Sequence, residues 1–208
     1  MRYLKFNKLV ARLFAIILSC TAISACIPMP SWNMKQDSTR QDTKPKIFAP
    51  KGYNTAINAA KAGNYDDAIQ LFSDINLTNP DFSNAYTNLG LLHWQKGNKD
   101  KARQAFDKAL ALDPNDAVSY NHLGVMLRQQ GKFSEAKDMY LNALQHKPDY
   151  ALACLNLGIL YDLYLQDLPN ALTQYNTYQK LTGNQDKVVE KWIIDLDKRI
   201  QSLTKSQS

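Results

Sequence analysis

The residues best able to do chemistry are few and scattered. His93, His122 and His146 fall at unrelated places, without the spacing of metal ligands. No GxGxxG, P-loop or GxSxG pattern occurs. Asp66, Asp67 and Asp113 lie beside the ends of expected helices, where capping and solvated charge account for them. Cys154 falls at a position that reads as core, and packing accounts for it better than a reactive thiol. Cys20 lies in an apolar N-terminal run, and Cys26 closes a run of small residues. Nothing in this set assembles a catalytic centre, a metal site or a cofactor site, so the expectation is a non-enzyme without cofactors.

Cys26 carries the one chemical proposal. Residues 1–12 are basic, and LFAIILSCTAISA is apolar and small. The run is short for a membrane span and reads as a secretory signal over residues 1–25. Ile23-Ser24-Ala25-Cys26 resembles a bacterial lipobox, in which an aliphatic and two small residues precede the modified cysteine. That resemblance implies cleavage before Cys26 and lipidation of its sulfur and amine. An ordinary cleaved signal is the alternative, and Ile17-Leu18-Ser19-Cys20 is a poorer competitor that leaves the apolar segment short. Several acyl chains hold firmly where one does not, at about 0.8 kcal/mol per buried CH₂. Residues 26–50 carry Pro28, Pro30, Pro45 and Pro50 around a polar middle and read as a flexible tether. Such a coil spans about 25–30 Å on average.

The formal charge of +6 does not argue for nucleic acid, since Arg2, Lys5, Lys8 and Arg12 in the signal supply four of it and leave +2. The rest of the chain is built on a repeat. SNAYTNLGLLHWQKGNKDKARQAFDKALALDPND begins at Ser83, and AVSYNHLGVMLRQQGKFSEAKDMYLNALQHKPDY begins at Ala117, 34 residues later. Gly90 and Gly124, Gly97 and Gly131, Ala102 and Ala136, and Pro114 and Pro148 recur at that period. A fixed period of this length means stacked supersecondary units.

Tyr86, Leu89, Gly90, Ala102, Phe106, Ala109 and Pro114, repeated as Tyr120, Leu123, Gly124, Ala136, Tyr140, Ala143 and Pro148, resemble the tetratricopeptide repeat. The resemblance implies an all-α, right-handed superhelical solenoid of helix-turn-helix units over residues 51–183. Gly90 and Ala102, like Gly124 and Ala136, are expected to face each other where paired helices cross. Gly97 and Gly131 suit a left-handed helix end, and Pro114 and Pro148 stop the second helix of their repeats. Asn115 or Asp116, and Asp149, can cap the helices that follow. The first repeat is degenerate at its front, as a terminal repeat should be. The fourth holds Leu157, Gly158 and Tyr161, but one extra residue shifts Ala171 and Tyr175. Residues 184–208 read as a capping helix with a frayed tail. Its apolar stripe is Val189, Ile193, Leu196, Ile200 and Leu203.

In this family the concave face is built by the first helix of each repeat. The matching positions are Asn84, Thr87, Leu91, Trp94 and Gln95; then Val118, Asn121, Val125, Arg128 and Gln129; then Leu152, Leu155, Ile159, Asp162 and Leu163. The face is largely apolar, with Leu91, Val125 and Ile159 in register. It suits a peptide or helix of an envelope partner, with Asn121, Arg128 and Gln129 fixing orientation. Two other readings stand beside it: the stripe is inter-repeat core, or the last helix covers it. In plan the chain looks like pilotin-type repeat lipoproteins of type IV pili, with an enzyme accessory or small-ligand binder as the alternative class. Ile27 follows the cysteine where aspartate resembles an inner-membrane retention signal, so the expected location is the periplasmic face of the outer membrane. Sucrose-gradient fractionation should therefore place the protein with outer-membrane markers, and recovery in the inner membrane would refute that address.

Overall fold

The computed structural model describes residues 49–206. The signal-like run, Cys26 and nearly all of the tether lie outside them. Every regular element among the described residues is helical: α1 (Tyr53–Lys61), α2 (Tyr65–Thr78), α3 (Ser83–Gln95), α4 (Lys99–Leu112), α5 (Ala117–Gln129), α6 (Phe133–His146), α7 (Ala151–Leu160), α8 (Leu168–Leu181) and α9 (Lys187–Ser206). Consecutive helices pack as four hairpins, each also against the next, and α9 packs on α8.

The helix ends follow from residue type. Gly63, Gly97 and Gly131 take φ of 82°, 78° and 76° after the first helix of their repeats, where a side chain would be strained. Asn79, Asp113 and Lys147 each precede a proline and end the second helix with φ near −136°, −131° and −141°. The proline ring clashes with a helical residue before it, so the chain must extend there. Asp116 caps α5, its Oδ1 accepting from the amides of Val118 at 3.0 Å and Ser119 at 3.3 Å. Asp149 does not cap α7: Tyr150 occupies the N-cap position without a side-chain bond.

The close approach within each hairpin differs from the expectation. A Cβ on Gly90 would lie 2.5 Å from Phe106 Cε1, and one on Gly124 would lie 2.6 Å from Tyr140 Cε1. The tightest neighbour of each glycine is therefore the aromatic ring, ahead of Ala102 or Ala136. Those alanines are fully buried beside the rings, where a larger side chain has no space.

The inserted residue of the fourth repeat is absorbed by a single π turn, Tyr161–Leu165, closed by Gln166 at φ 55°. A widened last turn takes up one more residue than an α turn before the helix ends. Asp167 then caps α8, its Oδ1 accepting from the Asn170 amide at 3.3 Å, with Pro169 in the first turn. The register is thereby restored: a Cβ on Gly158 would lie 2.6 Å from Tyr175 Cδ1. The last helix starts at Lys187 and not at residue 184 as expected, because Gly183 and Asn184 both take left-handed φ and Asp186 caps at Val188 and Val189. Val189 and Leu196 are buried on α8, whereas Leu203 is 52% exposed.

Gly124→Ala tests the ring contact. Helix propensity returns about 1 kcal/mol, while overpacking costs about 1–3 kcal/mol. Urea unfolding should show a net loss of about 1 kcal/mol, and an unchanged or raised stability would mean that the Tyr140 ring yields freely.

Candidate partner-binding groove

The first helices α3, α5 and α7, with the π turn that follows α7, carry the concave positions, but in three different states. Asn84, Gln95, Gln129, Leu152 and Leu163 are exposed. Leu91, Trp94, Val118, Val125, Arg128, Leu155 and Ile159 are half-buried. Thr87, Asn121 and Asp162 are buried, at 8%, 2% and 7%. Those three are internal polar groups and offer no open contact to a partner.

Their burial has a structural reason. Asn88 Nδ2 donates to the Tyr53 hydroxyl at 3.1 Å, and Asn156 Nδ2 donates to Asn121 Oδ1 at 3.0 Å. Both bonds join one repeat to the next, 35 residues on. At the junction between them Thr87 Oγ1 instead donates to Asp116 Oδ2 at 2.6 Å, which also accepts from Ser119 Oγ at 2.6 Å. Buried polar atoms must find partners, so these pairs fix the spacing of adjacent first helices. Asp116 thus caps α5 and ties it to α3. Residue types suggested the cap, but the bond to Thr87 has no local signal.

The fourth-repeat end of the face is covered. Leu155 and Ile159 pack against the cluster of Leu168, Ala171, Tyr175, Val189 and Leu196, joined by Ile193 and Ile200. Arg199 Nη1 donates to Asp162 Oδ1 at 2.7 Å, and the Tyr175 hydroxyl lies 3.5 Å from Asp162 Oδ2. Burial and the Asp162 charge raise the Tyr175 pKa, so the phenol stays protonated and donates. Trp192 packs on Tyr175 with ring centroids 5.6 Å apart. Ile159, Asp162, Leu163, Tyr175, Trp192, Asp195 and Arg199 line a cleft of about 330 Å³. Asp162 is therefore an internal counter-ion for α9.

The face is less covered at the second and third repeats. Leu91 and Trp94 lie against Ala102, Phe106, Leu123 and Met126. Val125 lies against the cluster of Leu127, Ala136, Tyr140, Leu157 and Leu160. Each keeps part of its side chain in solvent, so the stripe is both a packing element and a surface. Lys99 Nζ sits 5.9 Å from the Trp94 ring centre and donates to Gln129 Oε1 at 3.2 Å. The candidates for chemistry are absorbed by packing: His122 stacks on Phe106 at 5.3 Å and His146 on Tyr120 at 5.8 Å. Cys154 is 1% exposed, and burial pushes its thiol pKa up, away from the reactive thiolate. Among the described residues no three ligating side chains gather as a metal site.

Residues 53–117 and 117–150 match the tetratricopeptide repeat family. The chain from Tyr53 to Tyr150 is thus made of tetratricopeptide repeats, and the fold is an all-α tetratricopeptide solenoid closed by α9. No curated protein matches the chain significantly. Among solved structures, Pseudomonas aeruginosa PilF is similar at TM-score 0.63 and 22% identity, covering 72% of this chain and 68% of that one. The first tetratricopeptide domain of RPAP3 (Spaghetti), bound to the HSP90 peptide SRMEEVD, is similar at TM-score 0.52 and 18% identity, over 57% and 93%. A mutant of Thermobaculum terrenum O-GlcNAc transferase is similar at TM-score 0.55 and 27% identity, over 62% of this chain and 25% of that enzyme. The same fold therefore occurs with a bound peptide and as part of an enzyme. Its general role is that of a protein–protein interaction scaffold.

The seat of α9 depends on Asp186. Its Oδ1 accepts from the Val188 and Val189 amides at 3.0 Å and 3.1 Å, and its Oδ2 accepts from the Tyr178 hydroxyl at 2.9 Å. The Val189 amide, then Tyr178, hold its carboxyl below the ordinary value of 3.8. A depressed pKa contributes stability above that ordinary value, and the contribution fades as pH falls through the folded-state pKa. Asp186→Asn should lower the melting temperature at neutral pH, and the gap from the wild type should shrink below pH 3.8. A gap that is constant with pH would mean that the carboxylate charge does not seat α9.

Proposed function

We propose that this protein is a lipid-anchored interaction scaffold of the bacterial cell envelope. In this reading Cys26 carries the acyl chains and holds the solenoid on the periplasmic face of the outer membrane. The concave face of the second and third repeats recruits an envelope protein, or helps it assemble. One observation carries the reading: a lipobox-like Ile23-Ser24-Ala25-Cys26 precedes a tetratricopeptide array whose Leu91, Trp94 and Val125 stay partly exposed. A half-exposed aliphatic and aromatic stripe beside polar Asn84 and Gln129 suits an apolar anchor from an extended segment or helix. A narrower form of the reading is a pilotin-like role in pilus or secretin assembly. The likeness to PilF supports it at the level of fold, and fold alone does not name a partner.

The test is in-cell photo-crosslinking from Leu91 and Val125, with Leu77, 81% exposed on α2, as the control site. Adducts with one envelope protein from both groove sites, and not from Leu77, are expected. A secretin or pilus subunit in the adduct supports the pilotin role, and a cell-wall enzyme makes the protein an adaptor. Equal capture of many proteins at all three sites would refute groove-directed recruitment.

A further inference from the structure

The cleft beside α9 joins α7, the π turn that follows it and α9, with Tyr175 of α8. Its volume of about 330 Å³ is at the small end for a ligand pocket, the size for one side chain or a small molecule. Ile159 lines it and is in register with Leu91 and Val125, so the apolar stripe of the groove runs into the cleft. Leu163, held out by the π turn, stands where the second and third repeats have Gln95 and Gln129, and it is 60% exposed. Trp192 of α9 lines the cleft as well and is 39% exposed. Two large apolar side chains are thus left open beside one cleft, and an apolar group laid over them would be stabilised.

Three charged side chains line the same cleft, Asp162, Asp195 and Arg199. They do not cancel. Asp162 is buried and pairs with Arg199 at 2.7 Å, with the Tyr175 hydroxyl at its other oxygen. Asp195 lies 3.7 Å from the same Arg199 nitrogen, beyond hydrogen-bond distance, and its side chain is 68% exposed. Lys191, one turn before Asp195 on α9, does not line the cleft. The cleft therefore holds one excess negative charge, on its open side. Asp195 is three residues along α9 from Trp192, and residues so spaced on a helix are neighbours. A carboxylate beside an indole attracts a cation twice over, through its charge and through the ring. An anion there would face two carboxylates.

We propose that this cleft is a lysine pocket: it takes a primary ammonium on a linear aliphatic stem, presented by a lysine of the partner segment that lies in the groove. This rests on the scaffold reading and gives the chemistry of its partner. The stem covers Ile159, Leu163 and the Trp192 ring, and the ammonium pairs with the Asp195 carboxylate beside the indole. A lysine suits these walls better than an arginine, because its point charge needs no planar fork of acceptors. Continuity with the Leu91 and Val125 stripe favours a side chain carried by a longer apolar segment over a free amine. Arg199 is a positioning residue: it neutralises Asp162, so that Asp195 alone sets the sign at the mouth.

The experiment follows the indole N–H signals of the purified full-length chain by NMR as n-butylammonium chloride, the lysine side chain without its backbone, is added. Trp192→Phe assigns the Trp192 signal. That signal should move saturably, with a dissociation constant on the order of 1 mM, and should stay in place in sodium chloride. n-Butanol, which keeps the stem and lacks the charge, should bind about fivefold more weakly. Asp195→Asn should weaken butylammonium binding about fivefold and leave the melting temperature nearly unchanged. Asp197→Asn, at an exposed carboxylate of α9 outside the cleft, should change neither. No saturable shift at Trp192, or equal binding by D195N and the wild type, overturns the proposal. A larger shift with sodium propionate would assign the cleft to an anion and overturn it too. A small amine that stays with the wild type but not with D195N in native mass spectrometry assigns the cleft to a free amine and overturns the partner lysine. The scaffold reading fails separately. If Leu91 captures its partner at equal yield in the wild type and D195N, recruitment stands and the lysine pocket falls. If butylammonium binds but Leu91 and Val125 capture nothing, the ammonium site stands and the recruitment reading falls, taking the partner lysine with it.

Discussion

The contact on which the solenoid depends is an aromatic ring laid over a glycine. In each of the second, third and fourth repeats a ring from the second helix fills the space that a Cβ on the first would need, Phe106 on Gly90, Tyr140 on Gly124 and Tyr175 on Gly158. The three rings are among the largest fully buried side chains of the protein. Burying one such ring is worth about 1.5–3 kcal/mol, and dense packing leaves little slack for another position. Because the ring sets the distance between paired helices, it also sets how the next pair must lie. A solenoid transmits that choice from neighbour to neighbour.

The fourth repeat shows how firmly this constraint acts. Its extra residue would shift the chain reversal, and with it the start of α8, by one position. The chain instead widens one turn at Tyr161–Leu165 and keeps the ring in place. The widened turn holds Asp162, which α9 claims through Arg199. An insertion and a capping helix are thus coupled: the turn that repairs the packing register also supplies the carboxylate that seats the cap.

This coupling divides the concave face. At the fourth repeat the apolar residues Leu155 and Ile159 complete a core with α9. At the second and third repeats Leu91, Trp94 and Val125 pack into the junctions with the repeats that follow and remain partly in solvent. Tyr53 with Asn88, Thr87 with Asp116, and Asn121 with Asn156 run beneath that face as inter-repeat hydrogen bonds. They tie each first helix to the next and so fix the spacing of the helices that carry that face.

The repeat period, the helix ends and the aromatic positions were legible in the sequence, because each depends on a residue's own conformational limits or on spacing along one helix. Proline extends the residue before it, glycine accepts a left-handed turn, and a 34-residue period admits one kind of stacked hairpin. The concave positions were legible as a list of places on a helix. What each place does was not. Asn121 and Leu91 share the same helix face in neighbouring repeats, yet one is bonded to Asn156 inside the protein and the other reaches solvent. Asp162 and Arg199 are 37 residues apart and no local pattern pairs them. Only the packing of α9 on α8 brings them together, and only that packing commits the Asp162 charge on this face to the fold. A side chain's partners across a solenoid depend on inter-helix distance and twist, which arise from the summed contacts of whole helices and are written at no single residue.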